Sequence, residues 1–308
     1  GARADQVKEW RAHAVICEVQ LPGTDAPGVL YDATWEESFA ESLLDTIARR
    51  RRARGGTGAV VGEAARSLRS VLRAGPEALA PHPLRAEQSN TSILYGEKLV
   101  LKLFRRVEKG LNPDLEIGRF LTERTSFAHM PKVLGGLAYE RENEDEATIG
   151  ILQEFVVNEG DAWSYTRDVL ARYFENTRAR AQGPDTSELP SGGLIAAAAA
   201  AIPDAAHDHI GSYLESARLL GQRTAEMHAA LASVDEDPAF RPEPFSTLYQ
   251  RSLYQSCRGQ AKQAFELLRK QRTSRRGELP ASAESLLERE GDVDDPRLIA
   301  PGHAEDEG

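Results

Sequence analysis

The residues best suited to chemistry in this sequence are a short polar run and a lysine that follows it. The run consists of Gln88, Ser89, Asn90, Thr91 and Ser92. Short hydroxyl and amide side chains let a backbone approach phosphate groups closely and add donors of their own. Lys102 lies in the apolar segment LVLKLF, on a strand face shared with Val100 and Phe104, where its ammonium group needs a partner. A solvated turn and an edge-strand lysine that reaches water are the alternatives.

A helix that starts near residue 113 could supply that partner. Asn112 and Pro113 form a strong helix start, with a capping side chain followed by proline in the first turn. Glu116 and Glu123 share one face of this helix. We predict that Glu116 pairs with Lys102 and holds its ammonium group against nucleotide phosphates, as kinases do, with Glu123 as the competing carboxylate. An ordinary solvated helix surface is the alternative.

A third group of candidate residues lies where the chain changes character. Gln153, Glu154, Phe155 and Val156 end an apolar, strand-like run. The sequence beyond them has helical periodicity. We therefore predict a cleft at this point, in which backbone groups of residues 154–156 face an adenine ring.

Hydrophobic periodicity predicts the elements that position these residues. Alternation indicates strands at residues 13–21, 28–33, 92–95, 98–104, 134–140 and 148–157. Helical spacing indicates helices at residues 35–52, 113–125, 161–176, 210–233 and 245–271, the first with a capping box formed by Thr34 and Glu37. The glycines of residues 55–62 favour a flexible connector, and residues 203–208 favour a loop. The predicted fold is α+β, with a β-rich small lobe followed by a mostly helical large lobe.

Composition narrows the possible functions. A net charge of −10 and a pI near 5.3 oppose nucleic-acid binding, and no apolar stretch is long enough to span a bilayer, so we expect a cytoplasmic protein. Cys17 and Cys257 form neither a disulfide framework nor a zinc site, and we expect both to be buried. We likewise expect the side chain of His228 to be packed against neighbouring residues. The arginines at residues 49–52 are expected to close a helix, with an anion or partner site as the alternative.

Three strings resemble the bacterial maltokinases, which are often fused to or partnered with trehalose synthase. They are QSNTSILYGEKLVLKLFRRVEKGLNPDLEIGRFLTE, ILQEFVVNEGDAWSYT and ARLLGQRTAEMHAALA. The resemblance runs from about residue 12 to residue 268. It implies an aminoglycoside-phosphotransferase-like, protein-kinase-like bilobal fold and transfer of the ATP γ-phosphate to maltose, giving maltose 1-phosphate, with Mg²⁺ as cofactor. By position, residues 88–92 resemble the phosphate-covering loop, Lys102 the phosphate lysine, Glu116 its partner and residues 154–156 the hinge.

The sequence departs from this family in its catalytic part. It lacks the HGD-type loop that carries the base aspartate and the DFE-type segment that binds magnesium, so no catalytic or metal-binding residue is predicted. The resemblance then implies a chain truncated at both ends, incomplete in its large lobe and inactive by itself. Its predicted parts are a cap remainder at 1–63, the nucleotide-binding small lobe at 64–157, a helical region at 158–287 and a disordered tail at 288–308. A kinase for another hydroxyl acceptor and a non-catalytic module attached to trehalose synthase remain alternatives.

Overall fold

The computed structural model describes residues 2–20, 23, 27–73, 79–84, 90–179, 194–234, 236–274 and 281–291. Its strands are β1 (Val15–Gln20), β2 (Pro27–Tyr31), β3 (Arg52–Arg54), β4 (Ala59–Ala64), β5 (Pro81–Pro83), β6 (Asn90–Tyr95), β7 (Leu99–Phe104), β8 (Val133–Glu140) and β9 (Ala147–Glu154). Its helices are α1 (Ala2–Trp10), α2 (Glu37–Ala48), α3 (Leu68–Leu72), α4 (Pro113–Arg124), α5 (Ala162–Ala179), α6 (Leu194–Ala199), α7 (Asp204–Ile210), α8 (Tyr213–Leu231), α9 (Thr247–Ser274) and α10 (Ala281–Glu288). The fold is therefore α+β: helices α1 to α4 alternate with the strands, and among the described residues only helices follow β9.

Strands β3 to β9 form one antiparallel sheet in the order β3-β4-β8-β9-β7-β6-β5, while β1 and β2 form a separate hairpin. Leu99 and Leu101 of β7 are fully buried on one face of the large sheet. Because side chains alternate along a strand, Val100 and Lys102 point to the opposite face. The sheet thus has two different faces, each covered by a helix.

Helix α2 covers the face of Leu99 and Leu101. Its Ile47 is fully buried in the main hydrophobic cluster of the sheet. The buried hydroxyl of Tyr95 donates a hydrogen bond of 2.7 Å to the backbone carbonyl of Ala40 in the same helix. Helix α2 and strand β4 are so close together that a Cβ on Gly62 of β4 would lie 2.1 Å from the Thr46 carbonyl oxygen. The helix end is packed directly on strand backbone.

Helix α4 covers the other face. Its Leu115 packs with Val133 and Ile151 of the sheet, and Phe104 borders this smaller cluster. The capping asparagine that starts the helix is confirmed, since the Asn112 side chain accepts a hydrogen bond of 2.9 Å from the Asp114 backbone N–H. Helix α4 is thus held by a cap at one end and by Leu115 on the face that also carries Lys102.

The helical part buries much less surface. Neither α5 nor α8, both fully described, contains a buried residue. Residue contacts divide the chain into two units, Gly1–Phe240 and Arg241–Gly308. The boundaries predicted at residues 63, 157 and 287 stay predictions. In the described part of the chain, no helix is both long and apolar enough to cross a membrane.

Each predicted strand and helix has a counterpart in the structure, but α1, α3, α6, α10, β3 and β5 were not predicted, and several details were wrong. Residues 55–62 are not one connector, because β4 begins at Ala59 and pairs with β8. The capping box of Thr34 is also wrong, since its N–H and hydroxyl bond to the Asp32 carboxylate at 2.9 and 2.7 Å in a short 3₁₀ turn. The loop predicted at 203–208 is largely the helix Asp204–Ile210, which follows Pro203.

Burial was also predicted for Cys17, Cys257 and His228, and this prediction was wrong for all three. Cys17 and Cys257 are both exposed. A two-stranded sheet such as that of β1 and β2 cannot cover both of its faces, and α9 has few neighbours in the described part. His228 is exposed on α8, which buries no residue. The predicted disordered tail lies mainly outside the described residues.

Candidate functional site

Lys102 occupies the centre of the sheet rather than an edge. It lies opposite Ser92 of β6 on one side and Ile151 of β9 on the other. Ile151 packs against Leu115 of helix α4, so the lysine and the helix share one face of the sheet. The side chain is half-buried. The strand face that alternation predicted for Lys102 is therefore the face that α4 covers.

The predicted ion pair of Lys102 is not formed. Among the described residues, neither Glu116 nor Glu123 has a charged nitrogen of Lys102 within 4.0 Å. Leu115 takes the helix position that packs onto the sheet, and the next residue is turned about 100° around a helix axis. Glu116 therefore lies beside the contact with the sheet instead of within it.

The charged contact that does join α4 to the sheet was missed by sequence reasoning. Arg119 forms an ion pair with Glu63 of β4. Both residues line a cavity of about 330 Å³ together with Arg50, Glu123 and Gly135. This ion pair could not be read from the sequence, because 56 positions separate its two residues.

The polar run is only partly described. Gln88 and Ser89 lie outside the described residues. Asn90 begins β6, and the Thr91 hydroxyl accepts a hydrogen bond of 3.2 Å from Nε of Arg105. Ser92 is fully buried, so a ligand could contact its side chain only after the surrounding residues moved.

The predicted hinge residues lie at the exit from β9. Gln153 and Glu154 are the last residues of the strand, and the Phe155 N–H donates to the Lys98 carbonyl at 2.8 Å. The Val156 carbonyl accepts from the Asn158 amide at 2.9 Å. Within the described part of the chain the Val156 N–H donates to no acceptor, and this residue is 54% exposed. The backbone N–H of Val156 is therefore available as a donor at the position predicted to face an adenine ring.

After this exit from β9, hydrogen bonds to Asp161 fix the start of the next helix. Asp161 accepts hydrogen bonds of 2.8 Å from the backbone N–H and from the hydroxyl of Ser164. These bonds favour the ionised carboxylate and lower the pKa of Asp161. Helix α5 follows directly. The predicted crossing from strand to helix thus occupies residues 155–161.

The described residues contain no group of three or more histidine, cysteine or acidic side chains that could hold a metal ion. His207 and His209, which lie on helix α7, also belong to no such group among the described residues. No resident metal site is therefore assigned within the described ranges.

No protein-family profile matches the chain. Among solved structures, it is similar to glucosamine kinase in complex with glucosamine, ADP and inorganic phosphate, with 18% identity, a TM-score of 0.45 and coverage of 90% of this chain and 52% of that one. Two further crystal forms of glucosamine kinase are 19% and 17% identical, each with a TM-score of 0.46 over 92% of this chain and 58% and 52% of theirs. The chain spans little more than half the length of these structures.

Proposed function

We propose that this chain is the nucleotide-binding part of an ATP-dependent sugar kinase. The observation that carries the proposal is the position of Lys102, at the centre of an antiparallel sheet and on the face covered by helix α4. Phosphoryl transfer depends on cations that neutralise the phosphates and on groups that hold them in place. A lysine that is half-buried near a capped helix meets the first of these requirements.

In the proposed complex, the Lys102 ammonium binds nucleotide phosphates. The open Val156 N–H donates to the adenine ring, with residues 153–155 forming the wall beside it. Asn90 and Thr91, with Gln88 and Ser89 before them, cover the phosphates. Mg²⁺ would neutralise phosphate charge, but no step is derived through it, because the described residues bring together no ligand set.

The acceptor that we propose is maltose, with maltose 1-phosphate as the product and trehalose synthase as a fused or associated enzyme. The support is the resemblance of the three sequence strings. Because the HGD-type and DFE-type segments are absent from these 308 residues, the chain by itself should not transfer phosphate.

The proposal is tested by calorimetric titration of the chain with MgATP. Binding should be weak but measurable, and Lys102→Ala should weaken it about tenfold or more, since hydrogen bonds to charged groups contribute about 1.5–3 kcal/mol. Lys109→Ala is the matched control, because Lys109 is exposed and pairs with Glu144 at 2.9 Å. The affinity of the Lys109→Ala variant for MgATP should equal that of the wild type.

Thermal unfolding of each variant separates lost binding from lost folding. Equal affinity of the Lys102→Ala variant and the wild type would remove Lys102 from the site. Complete lack of MgATP binding by a folded wild-type chain would instead favour the non-catalytic module.

A further inference from the structure

A second site candidate lies on the opposite side of the sheet from Lys102. A cavity of about 500 Å³ opens at the end of helix α2, beside β4 and α3. Four of the residues that line it are arginines and its floor is apolar: Arg49, Arg50, Arg66, Arg69, Leu68 and Leu72. Leu68 belongs to the hydrophobic cluster of the α2 face. We call this cavity the arginine pocket.

The positive charge of the arginine pocket is only partly compensated. Arg49 pairs with Asp45 at 2.6 Å, and Asp45 also accepts from a neighbouring arginine outside the pocket. Arg50 donates to the backbone carbonyl of Ala64 at 2.8 Å and forms no ion pair within 4.0 Å among the described residues. In the described part of the chain, exposed Arg66 and Arg69 form neither an ion pair nor a hydrogen bond. This cationic cluster persists in a protein whose net charge is −10.

The backbone at Arg50 places an arginine where a helix end usually has glycine. Arg50 has φ of +52°, the left-handed conformation that glycine usually supplies at the end of a helix. Its N–H bonds to the Ile47 carbonyl at 3.0 Å, and the Arg51 N–H bonds to the Thr46 carbonyl at 2.9 Å, which is the Schellman pattern. An arginine in this conformation costs about 1–2 kcal/mol relative to glycine.

The geometry points to the arginine pocket as a binding site for a small organic phosphate. Guanidinium groups bind phosphate oxygens through paired hydrogen bonds, and four arginines line this cavity. The floor of Leu68 and Leu72 can contact the organic part of the ligand. The volume lies in the range of about 300–1,000 Å³ that is typical of small-molecule sites. Lys102 is not among the residues that line the pocket, so this site is separate from the one around Lys102.

The probe for this site is inorganic pyrophosphate, titrated calorimetrically into the full chain. The double variant Arg66→Ala/Arg69→Ala should weaken binding at least tenfold. Arg54→Ala, an exposed arginine of β3 outside the pocket, should not change the affinity. Lys102→Ala should bind pyrophosphate as the wild type does, which distinguishes this site from the proposed nucleotide site.

Arg50→Gly provides a readout that a purely structural role would not give. Glycine relieves the backbone strain, so the variant should unfold at a higher temperature while its affinity for pyrophosphate falls several-fold. Unchanged affinity in both this variant and the double variant would overturn the proposal. Equal weakening by Arg54→Ala would also overturn it, since that result means diffuse charge attraction. Displacement of pyrophosphate by a polyglutamate peptide at equal concentration would assign the pocket to an acidic protein segment instead.

Discussion

Single side chains in this protein decide how the sheet is joined to its helices. The Tyr95 hydroxyl is buried on the α2 face and donates to Ala40, while Lys102 lies on the α4 face without an ion pair among the described residues. Burial raises the pKa of Tyr95 well above its usual value near 10, because the phenolate would lose its hydration. A residue that ties two elements together is therefore also sensitive to alkaline pH.

Tyr95→Phe should lower the free energy of unfolding by about 1 kcal/mol at pH 8, the usual contribution of one hydrogen bond. The difference should shrink above pH 10. The folded-state pKa is raised, so the unfolded chain loses its phenolic proton first, and the wild type loses stability as pH rises from about 10 towards the folded pKa. Urea unfolding at pH 8 and pH 11 measures both effects.

Tyr249→Phe is the control for that experiment, because Tyr249 is 58% exposed. Its stability should follow that of the wild type at both pH values. A constant difference between wild type and Tyr95→Phe across this range would contradict the assigned cause of the pH dependence.

Sequence predicted the face of Lys102 but not its partner. Strand alternation has a period of two, so the face of a residue can be read from its neighbours. A salt bridge depends on the rotation and height of α4 above the sheet, which are set by the contact of Leu115 with Val133 and Ile151. The left-handed backbone of Arg50 was equally invisible, because an arginine at that position contradicts the usual preference for glycine.

At the scale of elements, the joint between α2 and β4 determines the stability of the α2 face. The helix ends at Ala48, and its last turn lies on Gly62. The Gly62 N–H donates to the Arg51 carbonyl at 2.9 Å, which fixes the chain immediately after the helix. The strand and the helix end therefore leave no room for a side chain between them.

Gly62→Ala should destabilise the protein by at least about 1–3 kcal/mol, the range seen when an extra methyl group is forced into a packed interior. The added Cβ would meet backbone atoms of Thr46, which cannot rotate away. Denaturant unfolding gives the value. Gly56→Ala is the matched control, because a Cβ there meets nothing within 4 Å, and its stability should stay close to that of the wild type.

A similar loss in both variants would show that glycine flexibility, rather than the contact with α2, causes the effect. This joint also explains why the connector predicted at residues 55–62 was wrong. Glycine usually weakens a strand, yet here it permits the close approach of a helix to β4. Periodicity predicted strands β6 to β9 and helices α2 and α4, but it missed the short strands β3 and β5.

At the scale of the whole molecule, burial is concentrated in the sheet. Six of the eight residues of β8 are buried, whereas helices α5 and α8 bury none. Large exposed side chains on these helices include Trp163, Phe174 and Leu220. Helical periodicity was a correct guide to secondary structure there, but it could not show how much of each apolar stripe would be covered.

Hydrogen exchange should follow this distribution. Peptides from β6 to β9 should exchange at least about a hundredfold more slowly than peptides from α5 and α8, since opening free energies track buried contacts. Mass spectrometry of a digested, deuterated sample measures this, with a urea-unfolded sample as the reference for full exchange. Protection of α8 equal to that of β8 would mean that the helical region has a core of its own in solution.

Two adjacent glycines in β8 set a rule for recognising relatives of this chain. A Cβ on Gly135 would lie 2.6 Å from Ile47 of α2, and one on Gly136 would lie 3.4 Å from Leu115 of α4. Consecutive positions face opposite helices, so a side chain at position 135 would collide with α2, whereas one at position 136 would press on Leu115 and on the Gly150 carbonyl at 3.2 Å. A homologue that changes nearly every surface residue and retains this layout should therefore keep glycine at position 135 and a small residue at position 136. Glycine followed by a small residue, in a strand between two apolar helices, is thus a fingerprint for distant sequence comparison where overall identity fails.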